Sequence, residues 1–268
     1  MSEKRALVAN RCNYETATKY GAHWTKRLLV DLAEVRGIPV VDLYAADANK
    51  AKWNAAIKDR DAILVGGCGH GNATRYTGQN QQDLLNSTNP DDLKLMKGRY
   101  GSFLSCVFGQ SAKKFVQEGG MKAFFGYTET FWFVNSSYPN GAAEPFFVSH
   151  YSLDDAWTLE RNNPEAWAIS TAAWNDAIAK SDAYSSRYLI WDRDHRILEM
   201  STDEGPYSKV VPPEPKYACP WSDFKSDDLD VVKQHILDIH CAICPPLPER
   251  PTWCKVFGDF VSCPLPKS

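Results

Sequence analysis

The sequence predicts an α/β fold: a mostly parallel sheet covered by helices on both faces. Two observations carry this. Short apolar runs alternate with helix-length amphipathic segments over residues 1–204. Those runs are also continuously apolar, not alternating, as strands buried on both faces require. A third observation sets the extent of the domain. Eleven of sixteen prolines lie after residue 205, and five of eight cysteines after residue 215. Such a shift marks a loop-rich appendage. The division expected is therefore 1–204 for the α/β domain and 205–268 for a small Cys/Pro-rich C-terminal region.

The elements follow in order. Ala6-Leu-Val-Ala9 is a short buried strand. Trp24, Leu28, Leu32 and Val35 recur at helical spacing, and Gly37 ends that helix. Ile38–Tyr44 is the second strand, and Trp53, Ala56 and Ile57 lie on a second short helix. Asp61–Val65 is the third strand and runs into a Gly-rich turn. Residues 72–96 form a long polar loop, of the length that is often functional. Ser102–Ser105 is the fourth strand and Ala123–Tyr127 the fifth. Two longer helices fill about 142–182. Arg187–Trp191 and Arg196–Met200 read as a strand pair around the charged turn Asp192–His195, with Asp192 and Asp194 as turn formers. His23, His150 and His195 read as surface or helix-packing residues.

With 268 residues, 44% of them hydrophobic and 24% charged, the chain is long enough for a large core. It has no run of 18 apolar residues, which excludes a membrane-spanning helix. A net charge of -3 gives no footprint for nucleic acid or an anionic membrane. The first apolar run is too short for a secretory signal, so a cytoplasmic protein is expected.

In a parallel sheet the working residues sit beyond the C-terminal ends of the strands. The third strand ends in Gly66-Gly-Cys-Gly-His-Gly71 and the fourth in Leu104-Ser-Cys-Val-Phe-Gly109. Adjacent strands bring His70 and Cys106 to one edge. A Cys beside a His is the pairing for thiol nucleophilic catalysis, because the imidazole generates the reactive thiolate. Gly71 lets its amide turn toward a substrate carbonyl, and with the Cys106 amide it would make an oxyanion hole. Against this, a strand-end cysteine is ordinarily a small buried hydrophobe. Cys68 is read that way.

Gly69-His70-Gly71 after one strand and Ser105-Cys106 after the next resemble the caspase-like cysteine peptidase clan, which includes caspases, legumains, clostripain-like enzymes and gingipains. The gingipain-like branch fits most fully, with Phe124–Trp132 as its third piece. The likeness covers roughly residues 5–200. It implies a three-layer αβα sandwich and a cysteine endopeptidase that hydrolyses peptide bonds through an acyl-enzyme. His70 would be the general base and acid, Cys106 the nucleophile, and Gly71 and Cys106 the oxyanion donors. Trp132 would line the specificity pocket. A protein or peptide is the implied substrate, and the clan's dyad needs no cofactor.

The pocket residues give conflicting hints. Leu104 stands where several branches carry an acidic or polar residue, so no carboxylate is supplied there. Glu129 would offer one and favour Arg or Lys, the preference of the gingipain branch. Arg11, at the end of the first strand, would favour an acidic residue or Asn. The alternative to a peptidase is a non-catalytic scaffold of the same fold whose tail binds a protein partner.

The tail around Cys219, His235 and His240 resembles a zinc finger lacking its second cysteine. Cys241 and Cys244 follow at C-x-x-C spacing. Structural zinc held by Cys219, His235, His240 and one of Cys241 or Cys244 is one expectation. Disulfides and free thiols are the others.

Overall fold

The structure, a computed structural model, describes residues 5–135 and 141–208 in full, and in the tail the backbone of four two-residue strands. The chain divides into two compact units, Met1–Lys209 and Val210–Ser268. In the second unit Tyr217–Ala218 pairs antiparallel with Lys225–Ser226, and Lys255–Val256 with Asp259–Phe260.

The first unit is built on a six-stranded sheet: β1 (Leu7–Arg11), β2 (Val40–Tyr44), β3 (Leu64–Cys68), β6 (Tyr100–Leu104), β7 (Ala123–Tyr127) and β8 (Arg196–Met200). The spatial order is β2-β1-β3-β6-β7-β8, parallel throughout except for β8, which runs antiparallel beside β7. Helices α1 (Thr16–Thr25), α5 (Glu144–Thr158), α6 (Asn163–Lys180) and α7 (Ala183–His195) cover one face. Helix α1 continues through a π-turn at Lys26–Val30 into α2 (Asp31–Val35). Helices α3 (Lys50–Asp59) and α4 (Pro90–Met96) cover the other face, with the 3-10 turn Phe108–Ser111 and the π-turn Lys114–Glu118.

The strands divide their side chains between two cores, as the pleat requires. Leu7, Ala9, Leu64, Leu104, Phe125 and Tyr127 pack under α1 and α5–α7. Val8, Val65, Phe103 and Phe124 pack on the opposite side against Trp53, Ile57, Phe108 and Phe115. The result is the expected mixed α/β sandwich of three layers. No helix among the described residues is long and apolar enough to cross a membrane.

Three sequence expectations are corrected. Residues 187–200 do not form a strand pair: α7 runs to His195, and only β8 follows. Asp182 caps this helix by accepting from the Tyr184 and Ser185 amides at 2.8 and 2.9 Å. The buried residues are Ser185, Leu189 and Asp192, at helical spacing, which the apolar run Tyr188–Trp191 conceals. Asp192 is therefore a buried helix residue and not a turn former. The polar stretch 72–96 holds a hairpin, β4 (Arg75–Thr77) with β5 (Asp83–Asn86), and then α4, whose N-cap Asn89 accepts from the Asp91 amide at 3.0 Å. Finally, β3 runs three residues beyond Val65. A Cβ at Gly66 would lie 2.1 Å from the Ser102 carbonyl oxygen, and one at Gly67 2.2 Å from that of Asn10. These glycines are strand residues that let neighbouring backbones approach closely.

Candidate active site

Register places the site. Cys68 at the end of β3 pairs with Leu104 at the end of β6. His70 and Cys106 each lie two residues further on, so equal offsets bring them out at one sheet edge. The Gly69 amide ties the two ends by donating to the Leu104 carbonyl at 3.1 Å.

Both glycines flanking His70 are demanded by packing. A Cβ at Gly69 would meet the Thr77 carbonyl oxygen at 2.1 Å, and one at Gly71 the Cys106 carbonyl oxygen at 2.7 Å. The His70 loop thus lies directly on the hairpin on one side and on the Cys106 loop on the other. Its carbonyl accepts from the Thr77 amide at 2.9 Å. Buried Asn10 braces the same place, its amide nitrogen lying 2.7 Å from the Cys68 carbonyl, 3.0 Å from the Tyr76 hydroxyl and 3.2 Å from the Thr77 carbonyl.

His70 Nε2 is hydrogen-bonded to the Glu15 carboxylate, which stands at the N-terminus of α1. A neutral imidazole donating through Nε2 keeps its lone pair at Nδ1. The Tyr14 ring lies 5.9 Å from the imidazole, tilted.

Cys106 is half-buried and its thiol is free. Burial pushes this thiol above its ordinary range; the Phe131 amide pulls it back in part, and Asp192 adds a smaller push upward. At rest the side chain is a neutral thiol. The next residue, Val107, has φ 62°, a left-handed conformation that a β-branched side chain rarely adopts. It is held there by its own amide, which donates to the Glu129 carbonyl at 3.0 Å.

The main-chain bonds beside the histidine run from Thr77 N–H to His70 O and from Asn72 N–H to Arg75 O. Between them the Gly71 amide has no acceptor among the described residues, and neither has that of Cys106. One pocket is lined by His70, Cys106 and Leu104 together with Phe131, Phe133 and Phe147.

The other sequence-chosen residues fall differently. Arg11 is not at the pocket: its guanidinium bonds Asp42 at 2.5 Å and the Ala22 carbonyl at 2.9 Å, and lies over the Tyr44 ring. The Glu129 side chain is exposed, and its carbonyl holds Val107. Trp132 is half-exposed and lines a neighbouring pocket with Tyr188 and Trp191. Leu104 lines the pocket shared by His70 and Cys106. Cys219, His235, His240, Cys241 and Cys244 lie outside the described residues, and no cluster able to hold a metal occurs among the described ones. The sequence reading overlooked Glu15, Asn10 and the three phenylalanines. Glu15 sits just before a helix, where an acidic residue reads as a helix-end feature. Nothing local links it to His70, 55 residues away.

No family model and no curated protein matches the sequence. Solved structures do. One is a complex of the pro- and mature domains of RgpB from Porphyromonas gingivalis, at 13% identity and a TM-score of 0.51, covering 81% of this chain and 51% of that one. Another is the Arg-specific cysteine proteinase gingipain R (RgpB), at 14% identity and a TM-score of 0.49, covering 80% and 50%. The chain spans about half the length of these proteins. The fold is the caspase-like αβα sandwich.

Proposed function

We propose that the chain is a cysteine endopeptidase working through His70 and Cys106. The observation that carries this is the shared pocket: both side chains line it, at register-matched strand ends, with Gly71 packed on the Cys106 carbonyl. The gingipain-like fold agrees with it.

The steps follow from the groups present. His70 Nδ1 takes the Cys106 proton as Sγ attacks the peptide carbonyl carbon, forming the C–S bond. The raised thiol makes this a proton transfer during attack and not a standing ion pair. The oxyanion is received by the Gly71 and Cys106 amides, which have no acceptor among the described residues. As the C–N bond breaks, His70 returns the proton to the leaving amine. Water, deprotonated by His70, then attacks the thioester carbon, and as the C–S bond breaks His70 returns that proton to Cys106 Sγ, releasing the acid product. Glu15 touches no reacting atom. It is a positioning residue that fixes the imidazole's tautomer and orientation.

The test is cleavage of an unfolded protein substrate, read as new amino termini. Wild type should generate them, and both Cys106→Ala and His70→Ala, folded by circular dichroism, should not. Undiminished cleavage by Cys106→Ala would overturn the proposal.

A further inference from the structure

Resting on that reading, we infer that the residue before the scissile bond is an apolar one, such as Leu, Ile or Met, and not Arg or Lys. The lining of the pocket beside Cys106 decides this.

Its walls are Ala17, Gly21, Leu104 and the three phenylalanines Phe131, Phe133 and Phe147. Phe133 and Phe147 pack edge to face at 5.1 Å, and Phe133 is braced by Tyr20 at 5.2 Å. No carboxylate lines the pocket. Glu15 is engaged by His70, and the Glu129 side chain is exposed and not part of the lining. Asp192 lies buried beneath the Trp132 amide, which it accepts at 2.9 Å, and does not reach the lining. Burial also holds its carboxyl well above the usual range. Beside His70, Cys106 and the Cys68 thiol, the polar side chains of the lining are two hydroxyls. Thr18 Oγ1 is taken up by the Tyr14 and Glu15 amides. Ser105 Oγ, buried and without a partner among the described residues, is a hydroxyl and not a counter-charge. A guanidinium or ammonium entering here would shed water and gain no anion, which is strongly unfavourable. An apolar side chain gains burial.

The experiment compares peptidyl acyloxymethyl ketones identical except for Leu, Phe, Arg, Lys or Asp next to the reactive carbon. Cys106 Sγ displaces the carboxylate and leaves a thioether that intact mass detects. Wild type should label at least about tenfold faster with Leu than with Arg or Lys. Phe133→Ala should move the preference toward Phe by removing one wall. Faster labelling of Cys106 by Arg or Lys would overturn this inference and leave the peptidase reading standing. No label from any probe on folded protein would overturn the peptidase reading itself, and the pocket assignment with it.

Discussion

At the scale of single residues the chemistry of the sheet edge depends on how His70 and Cys106 are set against their surroundings. Glu15 holds the imidazole by its far nitrogen. Glu15→Gln keeps the shape but removes the charge and blurs the tautomer. It should lower kcat by about tenfold to a hundredfold with little change in KM, because orientation and not substrate binding is lost. A KM rise at unchanged kcat would show that Glu15 binds substrate instead. Burial raises the Cys106 thiol. Its alkylation by iodoacetamide should therefore still accelerate with pH above about 9.5, where an ordinary thiol of pKa about 8.5 approaches its limit. A rate that levels off near neutral pH would show a standing thiolate. Neither effect was legible in the sequence. The positions of His70 and Cys106 were, because each follows directly on the end of an apolar strand. Their partners come from 55 residues away or from the layer above, and no local pattern reports them.

At the scale of elements, the edge of the sheet is kept in place by close backbone approaches and by one buried amide. Asn10 at the end of β1 serves three groups on β3 and the hairpin. Asn10→Ala would leave buried acceptors unpaired and should destabilise the fold by roughly 1–3 kcal/mol in denaturant titrations. A loss below about 0.5 kcal/mol would contradict this bracing role. The strands were legible as apolar runs, and the first helix as a repeat ending at Gly37. Helix α7 was not, because its apolar run crosses from the buried face to the exposed one: Leu189 is fully buried, whereas Ile190 and Trp191 are about 40% exposed. The hairpin was missed for a different reason. Its residues are mostly polar, and Tyr76, Leu84 and Leu85 supply the apolar contacts.

At the scale of the whole molecule, a buried polar contact joins the sheet to α5 and makes stability depend on pH. Ser102 donates to Asp154 at 2.7 Å, and burial pushes the Asp154 carboxyl up to about 7. A carboxyl with a raised folded-state pKa holds its proton more tightly in the fold than in the unfolded chain. Its contribution favours folding below about pH 4 and is lost as pH climbs from there through about 7. Asp154→Asn keeps an acceptor for Ser102 and cannot ionise. Its stability relative to wild type should rise across that window, by up to about 1.4 kcal/mol per pH unit, and then level off. A difference that stays flat from pH 4 to 8 would contradict the buried charge.

That same sandwich exists to bring two strand ends together, and the central claim is that Cys106 at one of them is a nucleophile. The most direct measurement is peptide mapping after a single-turnover reaction with a peptidyl acyloxymethyl ketone, run on wild type and on His70→Ala. The account predicts one adduct per chain, on Cys106, with buried Cys12 and Cys68 unmodified, formed at least about a hundredfold more slowly in His70→Ala. Adducts spread over several cysteines, or a rate indifferent to His70, would contradict it.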